Sequence, residues 1–302
     1  MPPRTHPDQV IRQRLRALAR SFPKALAGEA RAIHKARVAS RRVREALPIV
    51  LASAPAKKGR KLRTRVERVT RLLGPLREID VSLALVDELA RPDTALAWDA
   101  LRQQLQIERR RRHERFAAKL DGFDVRRLQA RAERLRERAP DSAERRLPGT
   151  AALVLRLTKR VQELDEAVDA AGPLYAPEPI HAVRIAAKKL RYAFELARDL
   201  KLLGSSRVLT TLRSTQQTLG RLHDLQVLGG SVDALRAEAP SSGPQVEALN
   251  AVASQLEEEC RQLHARFVAR REKLVAAVDE ALSDVAARAA TVADDAERTT
   301  VH

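Results

Sequence analysis

Apolar residues return every three or four positions along almost the whole chain, with charged residues between them, which predicts one amphipathic helix after another. Ala, Leu, Arg and Glu dominate, and runs of β-branched residues are short. The expected fold class is therefore all-α. Breakers divide the pattern at "SFPKALAG" (21–28), "SAPAKKG" (53–59), "LGP" (73–75), "RPD" (91–93), "LDGFD" (120–124) and "APDSAERRLPG" (139–149). A similar series follows at "AAGPLYAPEP" (170–179), "LLGSS" (202–206), "LG" (219–220) and "APSSGP" (239–244). Gly74 and Gly220 are expected just past a helix end. Glu78 and Asp224 then fall in the first turn of the next helix, where an acid suits the helix dipole.

The residues repeat along with the punctuation. "IHKARVASRRVREAL" from Ile33 and "IHAVRIAAKKLRYAF" from Ile180 align without a gap. The alignment pairs His34 with His181, Arg37 with Arg184, Arg41 with Lys188, Arg42 with Lys189, Arg44 with Arg191 and Leu47 with Phe194. "LGPLREIDV" (73–81) matches "LGRLHDLQV" (219–227), and "HERFAAKL" (113–120) faintly resembles "HARFVARREKL" (264–274). These matches predict a tandem duplication with repeats at 6–140 and 150–298. Two helical bundles are expected to pack as one pseudo-symmetric domain, because a solenoid needs at least three repeats to bury its faces.

At about 100° per residue, positions i, i+3, i+7 and i+10 share one helix face. His34, Arg37, Arg41 and Arg44 hold those positions in one half, and His181, Arg184, Lys188 and Arg191 hold them in the other. Val43 and Leu47, like Leu190 and Phe194, lie opposite, giving each helix an apolar back and a cationic front roughly 15 Å long. A basic stripe is ordinarily a solvated face, but such faces mix signs, and like charges at this spacing repel by about a few tenths of a kcal/mol per pair. The same repulsion written twice points to an anion that relieves it. Two rows facing one another form a basic central pore or groove for an extended polyanion.

A second hint lies between Trp98 and Phe116. Arg109, Arg112 and His113 fall on or beside the apolar line of Trp98, Leu101, Leu105 and Phe116. A buried guanidinium without a partner is costly, so either acids such as Glu78 or Asp80 satisfy them or they line the groove. In the second half only His264 is a repeat-matched candidate. Glu78, Asp80 and Asp224 are candidates for orienting basic side chains from a neighbouring helix.

Charge sharpens this picture. The 302 residues contain 57 Lys and Arg against 39 Asp and Glu, a formal charge of +18, which concentrates polyanions at the surface. Nucleic acid, anionic membrane, acidic protein and inorganic phosphate chains all fit on charge alone. Aromatic residues make up only 3%, too few for base-stacking platforms, and no DNA-reading or RNA-binding signature is present, so nucleic acid is expected to bind only nonspecifically. His34 and His181 each sit three residues from an Arg, a poor setting for a dication, and no metal or cofactor is expected. The single cysteine, Cys260, excludes an internal disulfide and suits a reducing compartment. No apolar run reaches the roughly 18 residues of a membrane span and no secretory signal is visible, so the expected location is cytoplasmic.

The paired His-x-x-Arg clusters and the paired Leu-Gly segments resemble the CHAD family, the conserved histidine α-helical domain. That resemblance implies two four-helix bundles around a basic central pore that binds inorganic polyphosphate without catalysis. It also implies association, in some members, with polyphosphate granules and their proteins. Carried over position by position, the implied phosphate contacts are His34, Arg37, Arg41, Arg42 and Arg44 with His181, Arg184, Lys188, Lys189 and Arg191. The chain departs from the family pattern at Glu78, where Asp is usual, at Gln226, where an acid is common, and at His223, where Arg or Asn is typical. No Glu-x-Glu-x-Lys segment marks a fused triphosphate-tunnel enzyme. The alternatives are a phosphohydrolase or metal-dependent enzyme of polyphosphate metabolism, and nonspecific nucleic-acid binding.

Overall fold

The computed structural model describes residues 7–50, 56–137 and 146–300, and over them the chain is α-helical, as the periodicity predicts. The first half contains α1 (Pro7–Leu26), α2 (Ala30–Val50), α3 (Ala56–Leu89), α4 (Ala95–Lys119) and α5 (Val125–Glu137), with a short 3-10 turn at Pro92–Thr94. The second contains α6 (Arg146–Ala171), α7 (Pro177–Asp199), α8 (Arg207–Glu238), α9 (Pro244–Val268) and α10 (Arg271–Thr300). The breaks expected at 53–55 and 139–145, the repeat boundaries 6 and 140, and the residues 1–6 and 301–302 lie outside the described residues.

Each half packs in the same order. In the first, α1 lies on α2, α2 on α3 and α3 on α4, and α5 covers α1 and α3; in the second, α6 lies on α7, α7 on α8 and α8 on α9, and α10 covers α6 and α8. The halves meet where α2 touches α7 and α6, α3 touches α8, and α4 touches α8 and α9. Val10, Ile11, Leu15, Leu18 and Phe22 are all buried along α1, the spacing of an amphipathic helix. The main core runs through both halves, from Leu15 and Leu47 through Trp98 to Phe194, Leu222 and Leu256. A smaller cluster of Leu18, Phe22, Ile33, Leu73, Leu76 and Phe116 fills one end of the first half.

Several starts follow local chemistry. The Asp124 carboxylate accepts from the backbone N–H of Arg126 (2.7 Å) and Arg127 (3.2 Å), capping α5. Proline opens α7 and α9 at Pro177 and Pro244, where its missing N–H costs nothing.

The reading of Gly74 and Gly220 as helix ends is corrected. Both lie inside continuous helices, so Glu78 and Asp224 are mid-helix residues rather than first-turn residues. Fully buried Leu73 and Leu76 flank Gly74 and Pro75, and Leu219 and Leu222 flank Gly220, so packing on both sides carries each helix through its weak point. Pro23, Pro48 and Pro75 are likewise accommodated within α1, α2 and α3. A Cβ at Gly74 would stand 3.8 Å from Arg37 Nη2, an ordinary contact, so the approach of α2 does not require glycine there.

Candidate anion-binding site

Where α2 and α7 come together, flanked by α3 and α8, the structure encloses a cavity of about 570 Å³. Arg37, Arg41 and Arg44 enter it from α2; Arg71 and Arg77 enter from α3; Arg184, Lys188 and Lys189 enter from α7. Three imidazoles, His34, His181 and His223, join them. Four carboxylates also reach the wall, but two are taken from outside: Glu45 by Arg156 (2.6 Å) and Glu67 by Arg63 (2.8 Å). That leaves Glu78, 4.0 Å from Arg37, and Asp224, 3.8 Å from Arg184, both too far for a good hydrogen bond. Among the described residues Arg41, Arg44, Arg71, Arg77 and Lys188 form no salt bridge. The buried Nε atoms of Arg37 and Arg184 have no hydrogen-bond partner.

This crowding shows in the acid–base behaviour. Burial, then the charges of Arg41 and Arg184, push the Lys188 ammonium down to about 6. Burial and Arg41 lower Arg37 to about 10. His34 is held below the usual imidazole range by burial and then by Arg77 and Arg37, and His181 by burial, Arg184 and Lys188. The Nδ1 atoms of His181 and His223 lie 3.3 Å apart, and burial with Arg184 and His181 pushes His223 down to about 3. Burial raises the Asp224 carboxyl despite its cationic neighbours. Such a wall offers many donors and few acceptors, which suits a ligand with repeated negative oxygens.

The predicted residues do not all converge. His34, Arg37, Arg41, Arg44, His181, Arg184, Lys188 and Lys189 line the cavity, as do Glu78 and Asp224. Arg42 and Arg191 do not. Arg42 is one helix position round from Arg41 and faces the buried Glu195 carboxylate at 2.9 Å. The same carboxylate takes Arg191, whose Nε also donates to Gln216 (2.7 Å) and whose guanidinium lies over the Tyr192 ring.

Arg109, Arg112, His113 and His264 are also placed elsewhere. Arg109 donates to Asp80 (2.7 Å) and to the Gly28 carbonyl (2.8 Å). Asp80 therefore fixes α4 to α3 and orients no cavity cation. Arg112 bonds Glu108 (2.7 Å) and the Pro75 carbonyl. His113 lies 3.0 Å from the Leu26 carbonyl oxygen and packs under Gly28, whose φ of +89° and missing Cβ leave room for the ring. His264 is buried against Tyr175, with 5.3 Å between ring centroids. Of the two options open in the sequence, carboxylate pairing holds for Arg109 and Arg112. Sequence reasoning missed Arg71 and Arg77 as cavity residues.

The model of the family described as CHAD domain matches residues 9–233, which reach from α1 into α8. The chain belongs to the CHAD family. Two solved structures share its fold. The CHAD domain from the plant Ricinus communis is 23% identical, with a TM-score of 0.57 over 92% of this chain and 89% of that one. PptA from Streptomyces chartreusis is 17% identical, with a TM-score of 0.62 over 87% of this chain and 96% of that one. No curated protein matches. Among the described residues, no helix of this CHAD protein is long and apolar enough to cross a membrane, and no three His, Cys, Asp or Glu gather as metal ligands would.

Proposed function

We propose that this CHAD protein binds inorganic polyphosphate in the cavity between α2 and α7 and does not hydrolyse it. The observation that carries this reading is the excess of seven cations not paired from outside, with Lys189 held by Glu163 at 3.6 Å, over two such carboxylates in one cavity. A linear chain with a negative charge on every phosphate takes the place of the missing acids. Its oxygens accept from Arg37, Arg41 and Arg44 on one side and from Arg184 and Lys188 on the other, while His34 and His181 donate from near the amino-terminal ends of their helices. The anion also restores the protons that crowding drives off Lys188 and the imidazoles. Imidazoles with lowered proton affinity are weak general bases, which supports binding over catalysis. Beside the three imidazoles, Tyr192 is the one Phe, Tyr or Trp side chain on the cavity wall, which disfavours nucleobases as the occupant. Binding of this kind would bring the protein to polyphosphate granules.

Competition tests the reading. Long-chain polyphosphate should displace DNA at equal phosphate concentration. Arg37→Glu or Arg184→Glu should weaken polyphosphate binding at least about tenfold, and the exposed, remote Arg207→Glu should change it little. Equal losses at all three positions would mean binding by overall charge. Phosphate release with added Mg²⁺ or Mn²⁺, abolished by His34→Ala, would mean an enzyme.

A further inference from the structure

A second groove, of about 720 Å³, runs between α3 and α4 on the first half. Arg68, Arg71, Arg112, Arg115 and Lys119 line it against one acid, Glu108, which Arg112 holds. Arg71, Arg115 and Lys119 are exposed and make no salt bridge among the described residues. The groove is not separate from the cavity, because Arg71 and Pro75 line both. We infer that it is an extension of the anion site, which takes the length of a polyphosphate chain emerging from the cavity past Arg71. The inference rests on the polyphosphate reading above.

Three observations favour this occupant over an acidic protein segment. The groove is continuous with the cavity through a shared cation. Its apolar floor offers little, since Leu76 and Phe116 are 1% and 2% exposed and already packed in the core. Charge is also heavier on that side. Residues 1–150 contain 37 Lys and Arg against 18 Asp and Glu, whereas residues 151–302 contain 20 against 21. At the positions matching Arg68, Arg71 and Arg112, α8 and α9 carry Ser214, Gln217 and Leu263, while Arg266 and Arg270 match Arg115 and Lys119. A chain leaving the cavity therefore meets five groove cations on the α3–α4 side and two at the matching positions on the other. Along α4 the groove from Glu108 to Lys119 adds about 16 Å at 1.5 Å per residue, comparable to the cavity rows themselves.

The test compares tripolyphosphate, which fits within the cavity, with long-chain polyphosphate, on the full chain at fixed salt. Arg115→Glu with Lys119→Glu changes two exposed side chains. It should weaken long-chain binding about tenfold and lower its salt dependence, and leave tripolyphosphate binding unchanged. Arg37→Glu with Arg184→Glu should weaken both ligands. If the groove variant binds both ligands like the wild type while the cavity variant loses them, the extension is wrong and the cavity reading stands. If the wild type binds neither, the cavity reading itself fails. If polyglutamate binds the wild type, is lost in the groove variant, and long-chain polyphosphate is unaffected there, the groove serves a protein partner and the inference falls.

Discussion

Arg41 and Lys188 stand at matched positions on α2 and α7 and face the same cavity, yet one carries a guanidinium and the other an ammonium that burial and neighbouring charge push down to about 6. The contrast recurs at Arg77 and His223, the latter lowered to about 3. It recurs away from the cavity too. The loop entering α2 is tied by the ion pair of Arg109 with Asp80, which also reaches Gly28. The loop entering α7 is tied by neutral groups: Gln226, matched to Asp80, donates to the Tyr175 hydroxyl at 2.8 Å, and Cys260 stands where Arg109 does. At these matched places the first half carries guanidiniums and an ion pair, and the second a lysine, an imidazole and neutral groups. A helical frame tolerates either chemistry at the same place, so the positive field can belong to one half while the other half tunes it.

The largest expected effect breaks the contrast at the loop ties. Arg109→Leu leaves Asp80, buried and unpaired, and should cost about 3 kcal/mol in urea unfolding. Gln226→Leu removes one neutral hydrogen bond and should cost about 1 kcal/mol or less. Equal costs would mean that the two ties are energetically alike.

Next comes pH. Bound phosphate favours charged Lys188, so its proton affinity rises on binding. Polyphosphate affinity is then greatest below about pH 6 and falls as pH rises above it, by up to about tenfold per unit. Lys188→Arg should flatten that fall, measured by titration calorimetry across the range. An unchanged slope would remove Lys188 from the site.

The smallest effect concerns the free protein. Lys188 in the fold takes up its proton at lower pH than the usual lysine near 10.4. The unfolded chain therefore binds more protons between those limits, and stability without ligand rises with pH across that window. At neutral pH, Lys188→Met should raise the melting temperature slightly in the absence of polyphosphate and weaken binding in its presence. A lower melting temperature would contradict the burial cost assigned to Lys188.

Much of the site was legible because His34, Arg37, Arg41 and Arg44 obey one helical period, as do His181, Arg184 and Lys188. The all-helical fold was legible for the same reason. What was lost depended on one decision about α3. Once Gly74 is read as a helix end, Arg71 and Arg77 belong to different elements. On a continuous helix they lie three residues either side of Gly74 and share its face towards α2. The fate of Arg42 was hidden differently: Glu195 lies 153 residues away, and no local spacing reports a pairing across halves. Arg191 meets the same Glu195 four residues on along its own helix, a spacing that was open to reading. Arg109 and Asp80 were named as partners in advance because a buried guanidinium must find an acid, although the choice between that role and a place on the groove waited for the fold.

Glu195 has one more consequence. It joins Arg42 of α2 to Arg191 on its own helix, while Arg14 of α1 holds Asp199 one turn further on. These clasps sit toward the carboxyl ends of α2 and α7, whereas His34 and His181 sit in their opening turns. Two rods fastened near one end are held most firmly there, and the histidines lie at the ends farther from the fastening.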